Sequence, residues 1–295
     1  MNTNRFTTLG GDLRIARMGF GAMRLPASER GGPPNDRDTG LAVLRRAVEL
    51  GVNHLDTAAF YFSGELTANG LISAALRPYR DDLVIATKVG PRRGPHDPMP
   101  TGRLEPGELR AEVERNLREL GLDRLDLVYL RVGGLGPAPD EPVGARFDVL
   151  AGLREEGLIR HLGVSNVTAG QLAEARAIAP VVAVQNRFDV TMPHDTELLE
   201  ICERDGIVYA PYFPLGGFGL PDDERVARIA GRHGATVAQV LLAGLLALSP
   251  VMLAIPGTSS PAHLEENVAS ADLVLTAEDL AELRAPRRED ARQTP

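Results

Sequence analysis

The sequence predicts a closed barrel of eight parallel strands wrapped by helices, entered through an N-terminal hairpin. Two observations carry this reading. Short apolar runs of about five residues alternate with longer stretches whose apolar residues recur at helical spacing, almost from end to end. The joints are also unequal. Those leading from helix to strand are short and marked by Gly51, Gly121, Gly157 and Gly206, whereas several leading from strand to helix are long and rich in Gly and Pro. The fold class is therefore α/β, a (β/α)8 or TIM barrel, in which the loops after the strands build the active face.

Taken in order, residues 6–16 read as a hairpin that turns at Gly10-Gly11 and plugs the barrel's bottom. Strand candidates follow at 17–21, 53–57, 83–87, 125–130, 161–164, 181–185, 207–211 and 251–255. Helix candidates lie at 38–50, 65–76, 106–120, 143–156, 169–178, 195–205 and 236–248. The long, site-side loops are 90–107, 133–143 and 213–221. No repeat or linker divides the chain, so one domain is expected over residues 1–295, with 284–295 polar enough to be a frayed tail. A doubly wound dinucleotide fold is the competing architecture. Its glycine fingerprint fails in Gly19-Phe20-Gly21-Ala22-Met23-Arg24, where arginine stands at the last glycine position.

Composition narrows the function. There are 32 Lys and Arg against 40 Asp and Glu, a net charge of −8, which argues against nucleic-acid or anionic-membrane partners. The single cysteine, Cys202, and six scattered histidines make a disulfide framework or metal site improbable; no metal is expected. Cys202 reads as a packed apolar residue. The start of the sequence lacks a signal-peptide stretch, and the most apolar run, 237–248, is too short to span a bilayer, so a soluble cytoplasmic protein is expected.

The candidate chemistry sits at strand ends. Asp56 closes the second strand in Asn53-His54-Leu55-Asp56-Thr57-Ala58, Tyr61 follows in the next loop, and Lys88 closes the third strand. A buried ammonium beside a phenol favours the phenolate, and a carboxylate keeps the ammonium charged. Singly, the three residues could be a turn cap, a loop aromatic and a surface lysine. Together, at the same ends of neighbouring strands, they read as an acid–base centre.

These residues and several further motifs resemble the aldo-keto reductase family over nearly the whole chain. The matching motifs are Asp56-Thr57-Ala58 with Tyr61, Thr87-Lys88, Gly163-Val164-Ser165-Asn166, Val184-Gln185-Asn186, Tyr212 to Gly217, and Ile255-Pro256-Gly257 through Glu266-Asn267. The resemblance implies the same barrel and hydride transfer from a nicotinamide cofactor to a small carbonyl substrate. It makes Asp56, Tyr61 and Lys88 three members of a catalytic tetrad. It implies that Ser165, Asn166 and Gln185 hold the nicotinamide amide, and that Tyr212 stacks on its ring. Further cofactor positions are Gly21, Ala22, Met23 and Asp56, then Pro214, Leu215 and Gly217, then Gly257, Thr258, Ser259, His263, Glu266 and Asn267.

The fourth tetrad member, usually histidine, falls at Arg131. Arginine keeps five donors and a permanent charge but cannot titrate, so proton donation must rest on Tyr61. A bacterial subgroup resembling pyridoxal reductase shares this arginine and the Phe-Pro-Leu-Gly-Gly-Phe run found at 213–218, which implies a pyridoxal-like aromatic aldehyde as substrate. The rival reading is a cofactor-binding sensor or regulatory protein in which Arg131 anchors a loop.

Ser260 and Pro261 suit a helix start, and the exposed N–H groups there form an anion site. No Lys or Arg lies between residues 255 and 270, which leaves His263 as the local cation. NADPH is expected on the resemblance, with NADH possible. Phe60, Phe62, Tyr212, Phe213 and Phe218 fall on site-side loops and predict an aromatic-lined pocket. Arg92 and Arg93 read as solvated loop charges.

Overall fold

The computed structural model describes residues 5–29, 31–191, 195–217 and 219–285. The chain opens with a hairpin, β1 (Phe6–Leu9) and β2 (Leu13–Ala16), paired from Phe6↔Ala16 to Leu9↔Leu13. Its turn places Gly10 and Gly11 at φ 63° and 85°, a left-handed conformation that favours glycine. Then come β3 (Phe20–Gly21), β4 (His54–Asp56), the small hairpin β5 (Phe62–Ser63) and β6 (Leu66–Thr67), and β7 (Val84–Val89). A second small hairpin, β8 (Pro91–Arg92) and β9 (Gly102–Arg103), precedes β10 (Leu125–Arg131), β11 (Ile159–Ser165), β12 (Val181–Gln185) and β13 (Val208–Tyr209). β3, β4, β7, β10, β11, β12 and β13 form one parallel sheet in chain order.

The expected eighth strand is present as a closing segment rather than a regular strand. Met252 bridges to Tyr209 and Ala254 to Met18, both in parallel sense, so residues 251–255 join the last strand to the first. The bonds Leu253 N to Tyr209 O (2.9 Å), Ala254 N to Arg17 O (2.9 Å) and Gly19 N to Ala254 O (2.8 Å) complete the ring. Pro250 and Pro256 bracket this segment, and a residue without N–H cannot extend a ladder.

Helices pack outside: α1 (Arg37–Glu49), α2 (Ala68–Leu76), α3 (Pro106–Leu120), α4 (Gly144–Glu155), α5 (Ala169–Ile178), α6 (Thr196–Asp205), α7 (Glu224–His233), α8 (Val237–Leu248), α9 (Pro261–Ala269) and α10 (Ala277–Arg284). Their starts follow the local chemistry. α3 begins at Pro106 with a Glu105–Glu108 capping box, while α5 and α8 use Thr168–Gln171 and Thr236–Gln239. α2 starts later than its periodicity predicts because Leu66 and Thr67 pair with Ser63 and Phe62 first. α7 and α10 escaped the apolar pattern, although Asp223 caps one and Thr276 with Asp279 the other. No single helix among the described residues is long and apolar enough to cross a membrane. Residues 286–295, most of the expected frayed tail, and Phe218 lie outside the described residues, and Arg284 closes α10.

Two cores result. Between strands and helices, residues such as Leu44, Leu55, Ile85, Leu130 and Val164 are sealed from water. Each such side chain contributes about 1.5–3 kcal/mol of burial. Inside the barrel, Leu9 and Ile15 of the hairpin pack under Val84, Leu127 and Tyr129, which is the plug the sequence predicts. The hairpin turn is held from the barrel by Asp12, bonded to Arg160 and to His161 Nε2.

Candidate active site

Alternation along each strand aims Asp56 of β4, Lys88 of β7 and Gln185 of β12 into the upper barrel. Lys88 is 1% exposed and Asp56 3%. Lys88 Nζ donates to Asp56 Oδ1 at 2.5 Å and to Thr57 O at 3.1 Å, and Gln185 Nε2 donates to Asp56 Oδ2 at 2.8 Å. Two buried charges so deeply desolvated persist only because each is paired and further hydrogen-bonded. Tyr61 is half-buried on the turn after β4, and Lys88 Nζ lies 4.9 Å from the centre of its ring. The structure thus brings together the three residues of the predicted acid–base centre.

Arg131 ends β10 opposite Ser165 of β11. Its Nη1 donates to Ser165 Oγ at 3.0 Å, its Nη2 to Gly134 O at 2.5 Å, and its guanidinium stacks 4.4 Å from the centre of the Tyr212 ring. Tyr212 donates in turn to Asn166 Oδ1 at 3.0 Å, and Asn166 Nδ2 donates to Val132 O at 2.8 Å. Both ends of the Asn166 amide are therefore engaged. Gln185 Oε1 is buried without a hydrogen bond of ordinary geometry, its one polar neighbour being the equally buried Tyr129 hydroxyl. An acceptor in that state, beside a stacked tyrosine and the Ser165 hydroxyl, fits the amide hydrogens of a nicotinamide.

A cavity of about 1030 Å³ runs across this face. Asp56, Tyr61, Arg131, Gln185 and Tyr212 line it, with Lys88, Ser165, Asn166 and Ala22 outside its lining. Gly21, Met23, Pro214, Leu215 and Gly217 line it as well. So do Thr258, Ser259, His263, Glu266 and Asn267, beside the start of α9, which Ser260 caps by accepting from His263 N. Gly21 and Gly257 touch: a Cβ on Gly257 would stand 2.5 Å from Gly21 O, and one on Gly21 would stand 2.6 Å from Ile255 O. Phe60, Phe62, Tyr212 and Phe213 all line the cavity, as the aromatic pattern predicts.

Three contributions were not read from the sequence. Arg24 also lines the cavity; it donates to Ser28 O (2.9 Å) and Gly217 O (3.0 Å), and Ser28 Oγ lies 3.0 Å from Ser259 Oγ. The segment after β3 thus places a cation on the lining of the cavity. The second is Arg93, expected as a solvated charge. Arg92 is exposed and pairs with Glu108, but Arg93 is half-buried because Nη1 donates to Phe60 O (2.7 Å) and the guanidinium covers the Phe62 ring at 3.9 Å. The third lies between the strands and the helices α2 and α3. Thr57 Oγ1 donates to Asn69 Oδ1 (2.8 Å), Asn69 Nδ2 to Asn116 Oδ1 (3.1 Å), and Thr87 Oγ1 to the same oxygen (2.6 Å). An asparagine inside the apolar stripe of α3 was the available signal.

Burial also sets protonation. His54, beneath Asp56, is pushed down to about 4 by burial, with Lys88 adding to the effect and Asp56 opposing it. Burial pushes the Cys202 thiol up to about 12, which suits a packed residue and not a nucleophile.

The sequence model of the aldo/keto reductase family matches residues 17–287. The chain belongs to the aldo/keto reductase family. It is a nicotinamide-dependent oxidoreductase acting on the CH–OH group. It is similar to pyridoxine 4-dehydrogenase of Escherichia coli, 46% identical over 292 residues that cover 98% of this chain and 100% of that protein. An uncharacterized oxidoreductase of Schizosaccharomyces pombe is 39% identical, covering 96% of this chain and 90% of that one. Among solved structures, an aldo-keto reductase from Klebsiella pneumoniae in complex with NADPH superposes with a TM-score of 0.78 at 26% identity, over 97% of this chain and 98% of that one.

Proposed function

We propose that this aldo/keto reductase uses NADPH to reduce the carbonyl of a small aromatic aldehyde of the pyridoxal type, with Tyr61 as proton donor. The observation that carries the reading is the buried Asp56–Lys88 pair beside the Tyr61 ring. Lys88 is held as an ammonium by Asp56 and faces the phenol, so it favours the negative charge that Tyr61 carries once its proton has left. A substrate oxygen within reach of Tyr61 Oη takes that proton as the carbonyl becomes an alcohol. Arg131 holds a permanent charge on the cavity wall and stabilises negative charge on the same oxygen.

The cofactor supplies the hydride when bound. Gln185 Oε1 and Ser165 Oγ are suited to its amide, and Tyr212 to its ring. Arg24, Ser259 and His263 offer donors at the end where a phosphate belongs, which supports NADPH, with NADH also accepted. The likeness to pyridoxine 4-dehydrogenase and the aromatic lining support the substrate class.

Tyr61→Phe tests the reading. It should bind NADPH normally and lose reduction of pyridoxal by about a hundredfold or more. Near-normal turnover removes Tyr61 from the chemistry. The rival sensor role predicts negligible NADPH oxidation by the unaltered protein across a panel of aldehydes and ketones.

A further inference from the structure

We propose that Arg93 is a positioning residue for Tyr61, an inference that rests on the proton-donor role assigned above. Tyr61 sits on a turn, where Tyr61 N donates to Ala58 O (3.0 Å) and Ala68 N donates to Tyr61 O (2.9 Å). Its side chain is half-buried against a large cavity, so its aim depends on the residues at either side.

One guanidinium holds both of them. Arg93 Nη1 donates to Phe60 O at 2.7 Å, and the same group covers the Phe62 ring with its carbon 3.9 Å from the centroid. The Phe60 ring meets the Tyr61 ring edge-on, centroids 5.1 Å apart, so a displaced Phe60 displaces the phenol. Arg93 is itself fixed, because Nε donates to Asp97 O at 2.9 Å. The Asp97 carboxylate ties that turn together by accepting from Gly94 N (2.9 Å) and Thr101 Oγ1 (3.0 Å). The loop after β7 therefore reaches across and grips the loop after β4 on both sides of the proton donor.

The residue type matters. A planar guanidinium donates in two directions within its plane while its face lies on an aromatic ring; an ammonium cannot do both. A donor misplaced by about 1 Å costs on the order of a hundredfold in rate. The outcome of losing the grip should therefore appear in kcat.

Arg93→Met, Arg93→Lys and Phe62→Leu should be assayed with benzaldehyde, which is neutral, and 4-carboxybenzaldehyde, which is anionic. In Arg93→Met kcat should fall about tenfold or more on both, while KM and the NADPH dissociation constant stay within about twofold. Arg93→Lys should recover part of the loss, and Phe62→Leu, which leaves the carbonyl bonds in place, should lie between. NADPH binding shows that each variant is folded. Full activity in Arg93→Met overturns the inference, as does Arg93→Lys equal to the unaltered enzyme, which would mean that charge alone matters. A loss confined to KM for the carboxylated aldehyde also overturns it and makes Arg93 a substrate contact. An active Tyr61→Phe variant instead strikes the proton-donor role, whereas an inactive one beside a fully active Arg93→Met strikes only the grip.

Discussion

The guanidinium of Arg131 stacks on Tyr212, 4.4 Å from its ring centre, while its two donors fix Ser165 and Gly134. This cation thus serves as a clamp across β10, β11 and the segment after β13. Its two hydrogen bonds go to the end of β11 and to the loop after β10.

Replacing Arg131 should therefore be felt in cofactor binding. Arg131→Met removes a cation–π contact and two hydrogen bonds at a nearly buried site, and should weaken NADPH binding by about tenfold, the equivalent of about 1.4 kcal/mol. Fluorescence titration with NADPH measures this. Unchanged affinity with a reduced kcat would assign Arg131 to the substrate side of the cavity.

His54 gives the fold a pH dependence. Both its ring nitrogens are buried without a partner, and burial pushes it down to about 4 from an ordinary 6.5. Between those values the unfolded chain binds a proton that the folded chain refuses. Stability is therefore complete above pH 6.5 and is lost as pH falls towards 4, by about 2 kcal/mol at pH 5. Urea unfolding at pH 7 and pH 5 should show this drop, and His54→Leu should reduce it. An equal drop in both proteins would place the dependence on the carboxylates.

Asn116 accepts from both Thr87 and Asn69 behind the strand ends that carry Lys88 and Asp56. Asn116→Leu takes the acceptor from the buried Thr87 hydroxyl, while Asn69 Nδ2 keeps its bond to Glu119, and should cost about 1–3 kcal/mol of stability. The network meets the site only through Thr57, whose carbonyl accepts from Lys88 Nζ, and Asn116 itself bonds to neither Asp56 nor Lys88, so kcat at moderate temperature should fall less than stability does. Denaturant midpoints and initial rates on the same preparation compare the two. Unchanged stability would show that water satisfies these groups equally well.

The barrel was legible because each strand–helix unit repeats the same two periodicities, and Asp56, Lys88 and Gln185 fall at strand ends where that pattern places them. What stayed hidden depends on side chains reaching between units. Arg93 looks like a loop charge until its neighbour loop is in place, since Phe60 O and Phe62 are contacts across loops. Arg24 stood out only as a break in a glycine fingerprint, yet it lies beside Ser28 and Gly217. The eighth strand shows the reverse limit: its apolar run is real, but flanking prolines reduce it to bridges.

The contact between Gly21 and Gly257 also marks where the barrel closes. These residues lie at opposite ends of the ring, and the cavity straddles the seam where the sheet is shut. While that seam is open, the cavity wall that Gly21 and Gly257 share does not exist. A ligand that recognises only the shut ring stabilises it by mass action, about 2.7 kcal/mol at a hundred times its dissociation constant. NADPH bound there would act as a rivet through the seam, and its departure would leave the first and last barrel segments as the place where proteases enter.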